Sequence, residues 1–322
     1  MISRTRLTHW LAWAAGAAAL AAVVVTALHF SEEREFARLV EQAKPGWLVV
    51  AVALQAATYF AQAEVIRGAP RAAGVSLPRW WLYRLSLTKL FIDQALPSAG
   101  LSSTVVIVKA LQQRSVPHGS AAACAMINIG SYHAAYAVVL IVALAMTSSL
   151  RETSMVLVSA SALFITFALA LTATILVSAG RRGKTGTRLA RLPVIRRAVG
   201  FLQDADATLV RNPRLFCAAS GWQASIFLLD AATMWVCIRS LGATAPADAV
   251  FASFMISSLV RTMAVVPGGL GAYEAASVLT LRLVGVSLSV GLSATLIFRG
   301  LTFWIPMLPG LWFSRRIIAP GT

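Results

Sequence analysis

The sequence predicts an all-α polytopic membrane protein, and three observations carry that reading. Of 322 residues, 58% are hydrophobic and 12% charged, whereas about a quarter of a soluble domain is charged. Apolar runs of the roughly 20 residues needed to cross a bilayer recur along the whole chain. Two of the runs are interrupted by proline and glycine, one near Pro97 and one near Pro267. The expected architecture is about six full spanning helices plus two broken or re-entrant helix pairs in an inverted repeat. The runs are spread evenly, so one transmembrane domain over residues 1–322 is expected rather than separate domains.

Taken in order, the first helix is expected at about Trp10–Phe30, behind Arg4 and Arg6. Its apolar run is too long for a signal-peptide core, so it reads as an uncleaved first span. A charged segment, Ser31–Lys44, leads to a helix at about Trp47–Ile66, and a short loop follows with Arg67, Arg71 and Arg79. The stretch Trp80–Gln112 is apolar but broken at Pro97 and Gly100. Full helices are expected at about Gly119–Met146, Met155–Ser178 and Leu215–Arg239. Ala249–Leu283 is the second broken stretch, and Ser289–Phe313 the last helix. Each arm of a broken stretch is about 17 residues, roughly 25 Å at the helical rise, so its length alone does not decide whether it crosses.

Lysine and arginine set the orientation. The loop 181–214 holds nine Lys/Arg against two Asp, which makes it cytoplasmic. Counting outward, both termini and the 67–79 loop are cytoplasmic, while 31–44, with four Glu, and 241–248 are external. These assignments agree only if each broken stretch crosses an even number of times.

The broken stretches resemble one another. "LPSAGLSSTVVIVKALQQRSVP" and "VPGGLGAYEAASVLTLRLVGVS" place their prolines 267 − 97 = 170 residues apart. The same shift aligns Val108 with Val278, Leu111 with Leu281, Ile127 with Ile297 and Gly130 with Gly300. Three full helices lie between the breaks. That odd number inverts the second unit (about 215–314) relative to the first (about 47–146). Paired Gly/Pro-interrupted segments in inverted repeats point to the binding site of a transporter. The plainer reading is two tolerated helix kinks.

Glu274 is the foremost candidate residue. Pro267 lacks an N–H, and Gly268, Gly269 and Gly271 permit unusual backbone angles. The helix resuming near Ala272 offers free N–H groups and a positive dipole end to an anion. Three roles are open to Glu274: capping that helix, pairing with an arginine, or titrating. Arg299 lies too deep in the last helix to reach the interface, so it needs a partner or a polar cavity; Glu274 and Asp230 are the candidate partners. Arg261 is a further cation six residues before Pro267. In the first unit Lys89 and Asp93 are spaced to pair on one helical face, and Lys109 lies on the returning arm. Asn128 and His133 read as interhelical hydrogen-bonding groups, and the hydroxyls of Ser98, Ser102, Ser103 and Thr104 as packing or path-lining groups.

The net charge of +16 fits arginine-rich loops against anionic lipid better than nucleic acid, because no soluble basic domain is present to hold a nucleic acid. Cys124, Cys217 and Cys237 form no CxxC pair and no metal-ligand spacing; they read as small buried packing residues. No cofactor or metal site is indicated. Phosphate-loop, dinucleotide, GxSxG and HExxH motifs are absent, so an enzyme is not expected.

"VPGGLGAYEAA", followed by "GVSLSVGLSATLIFRGLTFWIPMLPG", resembles the lysylphosphatidylglycerol synthase transmembrane family. The specific part is about residues 256–312, with Pro267, Gly269, Gly271, Glu274, Arg299 and Trp304 in matching places. "LPSAGLSSTVVIVKAL" is similar to the family's earlier motif, but Ser102 and Ser103 stand near its acidic place and Lys109 supplies the cation. The resemblance implies a flippase-like protein of a bacterial inner membrane, standing alone without the aminoacyl-transferase part, that moves or binds phospholipid. Anionic and aminoacylated headgroups both remain open, as does a homo-oligomer or a lipid-synthesis partner. On that reading Arg261 and Arg299 attract headgroup phosphate, the Gly268–Gly271 backbone cradles it, and Glu274 sets the arginines' geometry or binds an amine. Asp230, Lys89, Asp93 and Lys109 complete the candidate set. An ion-coupled small-solute carrier and a non-catalytic scaffold for envelope-lipid synthesis are the alternatives.

Overall fold

The computed structural model describes residues 41, 43–95, 101–147, 155–179, 203–263 and 266–318. Among them every regular element is helical, as the composition requires. The predicted first helix at Trp10–Phe30, the break at Pro97–Gly100 and most of the basic loop lie outside the described residues. The elements are α1 (Pro45–Ala72), α2 (Arg79–Ala95), α3 (Leu101–Gln112), α4 (His118–Thr147), α5 (Met155–Ser178), the short α6 (Ala207–Val210), α7 (Pro213–Ser240), α8 (Ala247–Met263), a 3-10 turn (Pro267–Gly269), α9 (Ala272–Leu283), α10 (Leu288–Arg299), a π turn (Gly300–Trp304) and α11 (Ile305–Ile318).

Five of the described spans are long and apolar enough to cross a membrane: α1, α4, α5, α7 and the continuous Leu288–Ile317 rod made by α10, the π turn and α11. The chain is a multi-pass all-α membrane protein. Large side chains such as Val49, Leu163 and Leu308 are exposed. In water such a surface drives association; in a bilayer it is the ordinary lipid-facing side. α5 packs mainly on α4.

The broken stretches are asymmetric hairpins, not pairs of 17-residue arms. α2 and α8 each have 17 residues, but the returning arms α3 and α9 have 12. Twelve residues reach roughly 18 Å, short of the ~30 Å hydrocarbon core. One further boundary and one burial differ from the sequence expectation. Arg67 and Arg71 sit on the last turns of α1, not in a loop, and Glu64 pairs with Arg67 at 2.8 Å and with Arg79 at 3.4 Å. Cys217 is exposed rather than buried.

The two halves repeat element by element. Helix starts are shifted by 213 − 45 = 168, 247 − 79 = 168, 272 − 101 = 171 and 288 − 118 = 170 residues. α1 and α7 are both 28 residues long and both begin with a proline, which is tolerated there because the first turn's N–H groups have no helical acceptor. Asn212 caps α7 by accepting from the N–H of Leu215 and Arg214. The packing repeats as well: α1–α2, α2–α3, α3–α4 and α1–α4 have counterparts in α7–α8, α8–α9, α9–α10 and α7–α10, while α2 lies against α11 as α8 lies against α4.

The equivalent helices α1 and α7 run antiparallel along their whole length. Lys44 N–H donates to Ser240 O at one end, Gln55 meets Asp230 and Thr233 in the middle, and Gly68 packs on Leu215 at the other end. One face of the bundle thus gathers the ends of α1 and α5 with the starts of α4 and α7. There Arg211 donates to the carbonyls of Leu176, Val177 and Ala179 and closes the end of α5. His118 and Gly119 dock on Asp204 and Asp206 at the same face. α8 enters from the opposite face. Ser253 bonds Thr280 and Ser277 bonds Thr295, so α9 returns to that face before α10 begins.

Candidate functional site

The second break is a built structure. Gly268, Gly269 and Gly271 have φ of +61°, +63° and +80°, a region that only glycine visits routinely. Space adds a second constraint. A Cβ on Gly268 would overlap Cε2 of Phe303, and one on Gly269 would overlap Cγ of Arg261. The turn therefore sits between the buried Phe303 ring and the Arg261 stem.

Glu274 takes two of its three predicted roles together. Its Oε2 accepts from the Gly271 N–H at 2.7 Å and caps α9, while its Oε1 accepts from Arg299 Nε at 2.7 Å. Arg299 Nη2 donates across the break to Gly268 O at 3.0 Å. Of the two candidate partners for Arg299, the fold selects Glu274. The Glu274 and Arg299 side chains are 1% and 4% exposed. The guanidinium also lies over the rings of Phe303 and Tyr273, 4.3 Å and 5.4 Å from their centres, where the negative ring faces favour a cation. Together these bonds form a clamp that closes the break onto the last rod. Two N–H groups of the anticipated cradle are used internally, since Gly269 N–H donates to Val266 O at 2.9 Å and Gly271 N–H to Glu274.

The rod yields where the clamp grips it. Arg299 ends α10 and the π turn begins at Gly300. A π turn displaces backbone groups from their α-helical partners. Here Gln94, at the end of α2, donates through Nε2 to Thr302 O at 3.2 Å. The end of α2 also packs against Pro267–Gly269, so the deep ends of the two hairpins meet.

Beside the clamp lies a second polar group. Asp230 accepts from Gln55 Nε2 at 3.0 Å and forms no ion pair among the described residues. Arg261 faces Asp230 and the phenols of Tyr132, Tyr136 and Tyr273 at electrostatic range. Its Nε, the Tyr273 hydroxyl, the Ser258 hydroxyl and the Tyr59 hydroxyl are buried with no hydrogen-bond partner among the described residues. Asp230 and Arg261 as whole residues are half-buried.

A family model described as "Lysylphosphatidylglycerol synthase TM region" matches residues 10–310. The chain belongs to that family. Membership ties this membrane protein to lipid metabolism or translocation. Among curated proteins no relative matches.

The family's earlier motif falls partly on Pro97–Gly100, outside the described residues. Of the first-unit candidates, Lys89 pairs with Asp93 Oδ2 at 2.8 Å, as their spacing predicts. Asp93 Oδ1 is buried without a partner among the described residues. Asp93 holds in α2 the place that Arg261 holds in α8, third from the helix end. Lys109 is not brought to this group: it is exposed on α3. Arg282 is likewise exposed, at the end of α9.

Sequence reasoning missed Gln55, Gln94, Tyr59 and Tyr273. Each is a lone polar or phenolic residue in an apolar helix, and the available signal was that a buried side chain of this kind needs a partner. Asn128 meets its expectation: Gln62 and Gln223 both donate to its Oδ1, at 3.0 Å and 3.3 Å, linking α1, α4 and α7. Among the described residues His133 bonds Ile129 O on its own helix and no neighbouring helix.

Proposed function

We propose that this family member is a membrane lipid translocator that binds a phospholipid headgroup between two inverted units. The observation that carries the reading is Arg261, a half-buried cation with an unpartnered buried Nε, set against donor-bearing side chains at the lip of a break. A charged group in the membrane interior without an ion-pair partner is a functional candidate by default. Arg261, Tyr273 and Ser258 present hydrogen-bond donors, which suit a phosphate diester. The acyl tails stay in the bilayer beside the hairpins.

The antiparallel α1–α7 pair, the matched lengths and the meeting hairpins support inverted units of about 47–146 and 215–314. The hairpins then dip from opposite faces, and a headgroup bound where they meet is reachable from either side in turn. Loop charge supports the face of Arg67, Arg79 and Arg211 as cytoplasmic, in a bacterial inner membrane. On this reading the Glu274–Arg299 clamp acts indirectly: it holds the turn against which the Arg261 stem rests. The bound species is phospholipid, the chain carries no cofactor, and it does no covalent chemistry.

Leaflet-resolved lipid labelling in proteoliposomes tests the proposal, with anionic, zwitterionic and aminoacylated lipids compared. Hydrogen bonds to charged groups contribute about 1.5–3 kcal/mol, so R261Q should slow redistribution by roughly tenfold or more. If the native protein redistributes none of these lipids, the translocator reading is wrong and the scaffold reading replaces it.

A further inference from the structure

We infer that proton binding at Asp230 is coupled to headgroup binding at Arg261, so that an anionic headgroup and a proton are carried together. The inference rests on the proposed headgroup site and adds a co-substrate to it. Asp230 lies well inside a spanning helix, lacks an ion pair among the described residues, and is steadied by a neutral donor, Gln55 Nε2 at 3.0 Å. Carboxylates in this situation serve proton relays.

The groups around it set the sign of the coupling. From α1, Tyr59 lies in the field of Asp230, and from α8 and α9 so do Arg261 and Tyr273. Tyr132 and Tyr136 of α4 act on Arg261, and Arg299 of α10 lies in the field of Arg261 with its own charge matched by Glu274. Arg261 is therefore the cation that offsets Asp230. A phosphate diester seated on Arg261 cancels that offset and leaves two negative groups facing one another. A proton on the Asp230 carboxyl relieves the conflict. The loaded site then carries headgroup anion, guanidinium and neutral carboxyl. Release of the headgroup restores the pull of Arg261, and the proton leaves with it.

The test measures proton uptake on binding. Purified full-length protein in weakly buffered detergent solution, with a pH-indicating dye, receives short-chain phosphatidylglycerol at a series of pH values from about 5 to 8. Free glycerol phosphate is added in a parallel arm, which separates a lipid site from a simple phosphate site. The expected result is alkalinisation approaching about one proton per bound lipid within this range, with weaker or no response to glycerol phosphate. D230N should bind lipid without uptake, and D230E should restore uptake. If D230N does not fold, infrared difference spectra of the native protein decide: lipid addition should raise a protonated-carboxyl band. Binding without uptake at every pH, equal uptake by D230N, or no such band overturns the inference. Uptake driven equally by glycerol phosphate also overturns it, because the carried anion is then not a lipid. Lipid redistribution without proton uptake sinks this inference alone; uptake without redistribution sinks the translocator reading and with it the carriage of the pair, and leaves the coupled binding at Asp230 and Arg261 standing.

Discussion

Removing both charges of the Glu274–Arg299 clamp should cost clearly less than the sum of removing each alone. E274Q keeps the side-chain shape and a carbonyl acceptor for the Gly271 N–H, but leaves the Arg299 guanidinium, 4% exposed, without its counter-charge. R299M strands the Glu274 carboxylate and the Gly268 carbonyl, which loses its 3.0 Å donor. Breaking a buried pair from one side typically costs about 3–5 kcal/mol, whereas replacing the pair with apolar volume is close to neutral. Each single variant should therefore lose roughly 4 kcal/mol. A double variant carrying a neutral side chain at 274 and methionine at 299 should lose clearly less than the two singles together, with a coupling of about 2 kcal/mol or more. Equilibrium unfolding in mixed micelles, with tryptophan fluorescence as the probe, gives all four corners of the cycle. A coupling within about 0.5 kcal/mol of zero would refute the reasoning, because that is the additivity expected of residues that do not interact.

Three further outcomes are expected. G268A should be destabilised by about 1–2 kcal/mol for the positive φ and further by crowding on Phe303, so F303L should recover the crowding part but not the backbone part; equal stability of G268A and G268A/F303L would contradict this. R211A should free the three carbonyls at the end of α5, speeding amide exchange in its last turn by roughly tenfold or more while leaving α1 unchanged; unchanged exchange there would show that the cap contributes nothing. Asp206 caps α6, and the hydrogen bond from the Thr208 hydroxyl, the largest cause, holds its carboxyl below the usual carboxylate range. A depressed folded value means the contribution is present above about pH 4 and is lost as pH falls through that lower value. Protection of the Thr208 amide, taken as the ratio of its intrinsic to its observed exchange rate, should fall in acid in the native protein and stay flat in D206N, whose amide oxygen still caps; parallel profiles would argue against Asp206 as the titrating group.

Much of the architecture was legible before any coordinates. Long apolar runs leave no other way to satisfy the backbone in lipid than helix formation, so the composition alone gives the spans. Proline removes a donor and glycine admits positive φ, so the break at 267–271 could be read from local chemistry, as could Glu274 three residues past Gly271 as its cap. Lys89 and Asp93 paired because both sit on one helix at a fixed spacing. The short returning arms were harder: 12 and 17 residues of similar hydropathy look alike until the turn after α3 or α9 is seen.

What the sequence by itself determined is therefore whatever depends on neighbours along the chain: helices, breaks, caps and i,i+4 pairs. What only the tertiary structure decided is which distant polar side chains meet. It chose Glu274 over Asp230 for Arg299, gave Asp230 to Gln55, brought Gln94 to the π turn, left Arg261 Nε without a partner among the described residues, and turned Lys109 outward. The physical reason is that a lone polar residue in an apolar helix carries no periodic signal. Its partner is fixed by how helices far apart in sequence are rotated and spaced, and in this chain that is set by the packing of two similar halves against one another.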